Sequence, residues 1–201
     1  MKMKDSNIPS YTLHTHPTGK EGIMYQEIIT FWFEELEPKD WFVGNEQLDK
    51  QIQQRFLPLL KKASHSELFS WRAAPLGRLA EIIVLDQFSR NIYRNTPQAF
   101  SQDPLALALA QEAISIGADK MLSEEQRSFL YMPYMHSESK VIHDEAVILF
   151  KSLHREGNYE FELKHKKIID RFGRYPHRNT ILSRKSTAEE IEFLSEPGSS
   201  F

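Results

Sequence analysis

Apolar residues recur at three- and four-residue intervals along most of the chain, the spacing of helices with one buried face. Ile28, Trp32 and Leu36, with Ile29 and Phe33 beside them, predict a first helix over 24–35 that Pro38 ends. Leu48, Ile52, Phe56 and Leu60 repeat every four residues behind Asn45, a good N-cap. Pro58 inside that run predicts a kink or a shortened helix. Pro75 suits the first turn of a third helix, whose stripe is Leu76, Leu79, Ala80, Ile83 and Val84. Gly77 leaves room there for a neighbour to approach closely.

Asp103 followed by Pro104 reads as a cap and a first-turn proline, opening a helix through Leu105, Leu109, Ala113 and Ile116 that Gly117 stops. Ser123 with Gln126 forms a capping box before Phe129 and Leu130, and Pro133 is expected to interrupt that helix. Ile142, Ala146, Leu149, Phe150 and Leu153 mark a sixth helix, ended near Gly157. Phe161, His165, Ile168, Ile169 and Phe172 mark a seventh, ended by Gly173. Thr187 with Glu190 opens a short last helix. Sustained alternation of β-branched residues is missing, so no sheet is expected. The reading is all-α, with short turns joining antiparallel neighbours. A loose polar tail is expected over 1–22, and one domain over 23–201.

Composition narrows the function classes. At 201 residues, 40% apolar and 26% charged, the chain can enclose a core without being disordered. Its longest apolar run, Ile82 to Leu85, is far too short to span a bilayer, so no membrane role is expected. Net charge is -3, without the basic excess of a nucleic-acid binder, and no nucleic-acid partner is expected. Cysteine is absent, which excludes disulfides and thiolate chemistry. Without disulfides or a secretory signal, the expected compartment is the cytoplasm. His14 and His16 lie close together in the tail, where they read as incidental rather than as metal ligands. One stretch, Lys164 to Lys185, is distinctly basic.

Three segments carry chemistry. In the first, Asp86, Arg90 and Arg94 fall on one face if the third helix continues, with Gln87 and Asn91 beside them. Asp86 can then fix Arg90 and leave Arg94 for another anion. A structural salt bridge is the competing reading. In the second, His136, Ser137 and Glu138 offer base, hydroxyl and carboxylate in consecutive positions. Consecutive residues on a helix do not face each other, so this is no triad by itself. His136 is either a general base paired with a distant carboxylate or a turn-capping histidine. The third is the loop Arg171-Phe172-Gly173-Arg174-Tyr175-Pro176-His177-Arg178-Asn179, followed by Arg184 and Lys185. Its clustered guanidinium groups suit bidentate binding of carboxylate or phosphate. The competing reading is a solvated loop paired with surface acids. Metal and cofactor motifs are missing, including any H-E-x-x-H, P-loop or G-x-G-x-x-G, so neither a metal nor a cofactor is expected.

These same segments resemble the bacterial domain-of-unknown-function family 924. The matching runs are Leu85-Asp86-Gln87-Phe88 to Arg94, Met135-His136-Ser137-Glu138, and the loop Arg171 to Asn179, continued by Arg184, Ser186, Thr187 and Glu190. The resemblance implies an all-α fold related to tetratricopeptide-type superhelices, so the fold expected is such a superhelix or a compact helical bundle. It carries over no catalytic residues. Ser89 and Tyr175 stand where proline and phenylalanine are common in the family.

The functional expectation is a small anionic ligand, carrying carboxylate or phosphate. Arg90, Asn91, Arg94, Arg171, Arg174, His177 and Arg178 would bind it. Asp86, His136 and His177 are the candidates for acid/base work. The alternative is a protein-interaction module that clamps an acidic peptide or a C-terminal carboxylate. A third reading makes the same residues a buried polar network that fixes helix packing.

Overall fold

The most buried stretch of the chain, residues 79–89, shows why the bundle is organised as it is. A helix buried over this much of its length, Glu81 and Asp86 included, must be enclosed by others. This one is α3 (Pro75–Ile83), continued through a π-helical turn at Val84–Phe88 into the short α4 (Ser89–Ile92). It is packed by α1 (Tyr25–Thr30), α2 (Glu46–Ser64), α5 (Asp103–Ser115) and α6 (Glu124–Met135). Next in the chain come α7 (Lys140–Lys151), packed on α6, and α8 (Glu156–Phe172), packed on α7. The last helix is α9 (Ala188–Leu194). This computed structural model describes residues 24–199; the expected tail, with His14 and His16, lies outside them. Among the described residues there is no strand, and the fold is an all-α bundle. No helix among them is long and apolar enough to cross a membrane.

One core joins α1 to α7. Phe31, Trp32, Phe56, Phe88 and Phe129 meet at its centre, with Phe56 and Phe88 stacked 5.0 Å apart. Each such ring removes on the order of 150–250 Å² from water and so dominates the local packing energy. A smaller cluster of Ile168, Ile169 and Tyr175, with Phe172 and Phe193 against it, holds the C-terminal segment.

Several local expectations hold. Asn45 caps α2, and both capping boxes, Ser123 with Gln126 and Thr187 with Glu190, are formed. Gly173 ends α8 in the left-handed conformation, φ 69°. Gly77 is enforced by contact, because a Cβ there would collide with the Trp71 carbonyl.

Others are corrected. Pro58 does not shorten α2, which runs on to Ser64. Both Pro58 and Gln54, whose carbonyl loses its partner, are exposed, so the missing bond falls on the open face of the helix. Likewise α6 passes through Pro133 to Met135. Gly157 lies inside the first turn of α8 rather than ending α7. Asp103 does not cap α5: it is the first helical residue, Gln102 holds the cap position, and its carboxylate is engaged elsewhere.

Candidate functional site

The π turn at Val84–Phe88 puts one more residue into the central helix than an α-helix would hold. It leaves Asp86 wholly buried where α3 passes the end of α6. Three donors compensate that charge. Gln87 Nε2 donates to Asp86 Oδ2 at 2.6 Å. Arg90 Nη1 lies 2.9 Å from the Asp86 carbonyl and 3.0 Å from Oδ1. His136, the residue that closes α6, places Nδ1 2.8 Å from the same Oδ1. Burial alone pushes the Asp86 carboxyl up, but Arg90, His136 and Gln87 outweigh it and hold the group down at about 2. Asp86 is therefore a carboxylate at neutral pH.

Arg90 continues the chain of charges. Its other contacts form a two-pronged bond to Asp103, Nη1 to Oδ1 at 2.9 Å and Nη2 to Oδ2 at 3.1 Å. Asp103 in turn meets Arg178 Nη1 at 3.4 Å. Arg178 sits on a 3₁₀ turn, Pro176–Arg178, and is only 6% exposed. Two rings hold it in place: its guanidinium carbon lies 4.6 Å from the Phe100 ring centre and 4.5 Å from that of Tyr175. The bond to Asp103 is long, and Arg178 Nε is buried without a hydrogen-bond partner among the described residues. Burial and Arg90 together lower its pKa, though not enough to discharge a guanidinium near neutrality.

The His136 and Arg178 ends of this chain of charges border a hollow of about 380 Å³. Asp103, His136, Ser137, Glu138 and Arg178 supply its polar lining. Pro97, Phe100, Pro104, Leu107, Pro133 and Leu182 supply an apolar wall. Exposed Pro97, Ser101 and Pro104 mark its rim. Glu138 is occupied structurally: it accepts the Tyr175 backbone N–H at 2.7 Å and two bonds from Arg184, at 2.6 and 2.9 Å. Those donors, Arg184 first, overcome the upward push of burial and lower its pKa. His136 is neutral, because burial and Arg90 outweigh Asp86 and lower its pKa.

A family model described as a bacterial protein of unknown function, DUF924, matches residues 28–198. The chain is a member of the DUF924 family. A solved structure of a protein of unknown function from Agrobacterium tumefaciens is similar, with 36% sequence identity and a TM-score of 0.81. The match covers 85% of this chain and 96% of that one. No functionally curated protein matches the chain.

In this DUF924 member the expected site residues separate into two groups. His136 and Arg178 line the hollow, while Asp86 and Arg90 stand behind them, Asp86 bonded to His136 and Arg90 sharing Asp103 with Arg178. Arg94, Asn91, Arg171 and Arg174 do not line it. The π turn shifts the helical register and α4 stops at Ile92, so Arg94 leaves the face expected of it. Rather than remaining available for an anion, Arg94 grips Asp49 at 2.6 and 2.8 Å, and Asn91 binds the same carboxylate at 2.9 Å. Arg174 makes a fork on buried Glu190, at 2.6 and 2.8 Å, and Arg171 pairs with Glu189 at 2.8 Å. The His177 ring lies tilted against Tyr175, ring centres 5.4 Å apart, and burial together with Arg178 lowers it to about 4.

Two contributors escaped the sequence reading. Phe100 carried no signal beyond its aromatic character, and Asp103 read as a helix cap because it precedes proline. Behind the hollow lies a further buried set. Tyr175 Oη donates to the Met135 carbonyl at 2.5 Å and lies 3.2 Å from His143 Nε2, while His143 Nδ1 meets Glu162 at 2.7 Å. The Tyr175 hydroxyl, absent from a phenylalanine, thereby ties the Arg178 loop to the end of α6.

Proposed function

We propose that the protein binds a small carboxylate with an apolar body in this hollow, anchored by Arg178. The observation that carries the reading is the state of that side chain. It is buried, clamped between two rings, and joined to one acid by a single long bond, with most of its five N–H groups unused. Keeping a buried guanidinium under-bonded is costly, and an incoming carboxylate removes that cost through a planar two-pronged pair.

Local charge favours a monoanion over a phosphate dianion. Asp86, Asp103 and Glu138 stand against Arg90, Arg178 and Arg184, so the site has no surplus of positive charge for two negative ones. The apolar wall calls for a ligand with a hydrocarbon portion. The volume suits a small molecule better than a peptide segment.

The test is calorimetric titration with 3-phenylpropionate and with inorganic phosphate, on the natural chain and on Arg178→Met. Methionine fills much of the space, and Asp103 keeps its two-pronged bond to Arg90, so the fold is preserved. The expected result is saturable 3-phenylpropionate binding, weaker binding of phosphate, and at least a tenfold loss of the former in the variant, about 1.4 kcal/mol. No binding to the natural chain, or equal affinity in Arg178→Met, overturns the reading.

A further inference from the structure

His136 places a second requirement on the ligand, and the inference drawn from it rests on the carboxylate reading above. The two ring nitrogens have different surroundings. Nδ1 lies 2.8 Å from Asp86 Oδ1, and Asp86 is a fully buried carboxylate that already accepts from Gln87 and Arg90. An ionised carboxylate has no hydrogen to give, so Nδ1 must carry the one between them. In a neutral ring that leaves Nε2 with a lone pair and no hydrogen. Nε2 makes no hydrogen bond to any described residue, while His136 itself lines the hollow. The hollow thus presents a ligand with one forked donor, Arg178, and one neutral acceptor, His136.

An acceptor of that kind is satisfied by an O–H or an N–H on the ligand. An ammonium would bring a further positive charge close to Arg90 and Arg178, whereas a hydroxyl adds none. Elsewhere the wall formed by Phe100, Leu107, Pro133 and Leu182 offers no polar side chain and suits hydrocarbon.

We infer that the ligand is a hydroxycarboxylate, its carboxylate on Arg178, its hydroxyl donating to His136 Nε2, and its apolar substituent along the Phe100 side. His136 is then the specificity-determining residue, and Asp86 is the positioning residue that fixes its tautomer. No bond is made or broken: the arrangement selects a ligand by the hydrogen it can donate.

The experiment compares three probes on the full chain by calorimetry: 3-phenyllactate, 3-phenylpropionate, which lacks the hydroxyl, and phenylalanine, which carries an ammonium. The expected order is phenyllactate about tenfold tighter than phenylpropionate, with phenylalanine weakest. In His136→Asn, an amide N–H still reaches toward Asp86, but no acceptor stands where Nε2 was, because the amide oxygen falls at the Cδ2 position, one bond short of it. There the two acids should bind within twofold of each other. A second measurement needs no variant. In ¹⁵N spectra of the histidine rings, His136 Nε2 should lie in the unprotonated range at neutral pH. It should shift on adding phenyllactate and stay in place with phenylpropionate.

Equal affinity for the two acids, a protonated Nε2 in the ligand-free protein, or tighter binding of phenylalanine would each overturn the inference while leaving the carboxylate reading standing. Failure of both acids to bind would overturn the two together.

Discussion

Two arginines on neighbouring turns of the same loop, Arg174 and Arg178, have opposite fates. Arg174 closes a two-pronged bond on Glu190, whose other contacts are the N-terminal backbone of α9, and adds a third bond to the Lys185 carbonyl at 3.0 Å. It lies near the surface, yet its geometry is complete. Arg178 is almost wholly buried, yet makes one long bond and rests on aromatic faces. The acid beside it, Asp103, is already taken by the fork of Arg90. What separates the fully bonded arginine from the under-bonded one here is therefore not charge. It is whether the nearby carboxylate has a second suitor. Arg94, paired on Asp49, falls on the structural side of that line.

The largest effect should come from the acid at the root of the chain of charges. Asp86→Ala leaves Arg90 and His136 buried without their shared carboxylate, and breaking a buried pair in this way costs roughly 3–5 kcal/mol. Urea denaturation should show the midpoint falling accordingly. A change under about 1 kcal/mol would mean that Asp86 is solvated rather than central.

Acid should act next. Burial holds His177 near 4 and His165 near 3, below the ordinary histidine value of 6.5. A group whose folded pKa is depressed contributes stability that is complete above its unfolded value. That contribution falls as pH drops from about 6.5 toward the folded values, because only the unfolded chain can take up the proton. Glu138 and Glu190, both held low chiefly by Arg184 and Arg174 once burial is offset, add to the loss below about 4.5. Melting temperatures should therefore decline steadily between pH 6.5 and 4. A flat profile across that range would show the two imidazoles to be in contact with water.

The smallest effect belongs to the outlying pair. Arg94→Ala removes a half-exposed bridge to Asp49 and should cost about 0–1 kcal/mol, with ligand affinity unchanged. A large loss of affinity would move Arg94 back into the site.

These contrasts also show how much was legible in the chain. The helices were, because their apolar stripes and caps are local: Asn45, Ser123 and Thr187 act within three residues of themselves. The Asp86–Arg90 pair was legible for the same reason, at a spacing of four. The π turn was not, since nothing in Val84 to Phe88 announces one extra residue, nor was the end of α4 at Ile92, which leaves Arg94 beyond the helix. Nor could the division between Arg174 and Arg178 be read. It depends on Asp103 and Glu190, 75 and 16 residues away from their respective partners. A proline-preceding aspartate looks like a cap until its partner across the fold is seen.

The difference between Arg178 and Arg174 can be measured in one experiment. With ¹⁵N-labelled arginine, titration with 3-phenylpropionate should move the Arg178 Nε–H resonance progressively to saturation, while those of Arg174 and Arg94 stay fixed. Movement of Arg174 instead of Arg178, or no movement of either at saturating acid, would contradict the assignment of the hollow as the place where a carboxylate binds.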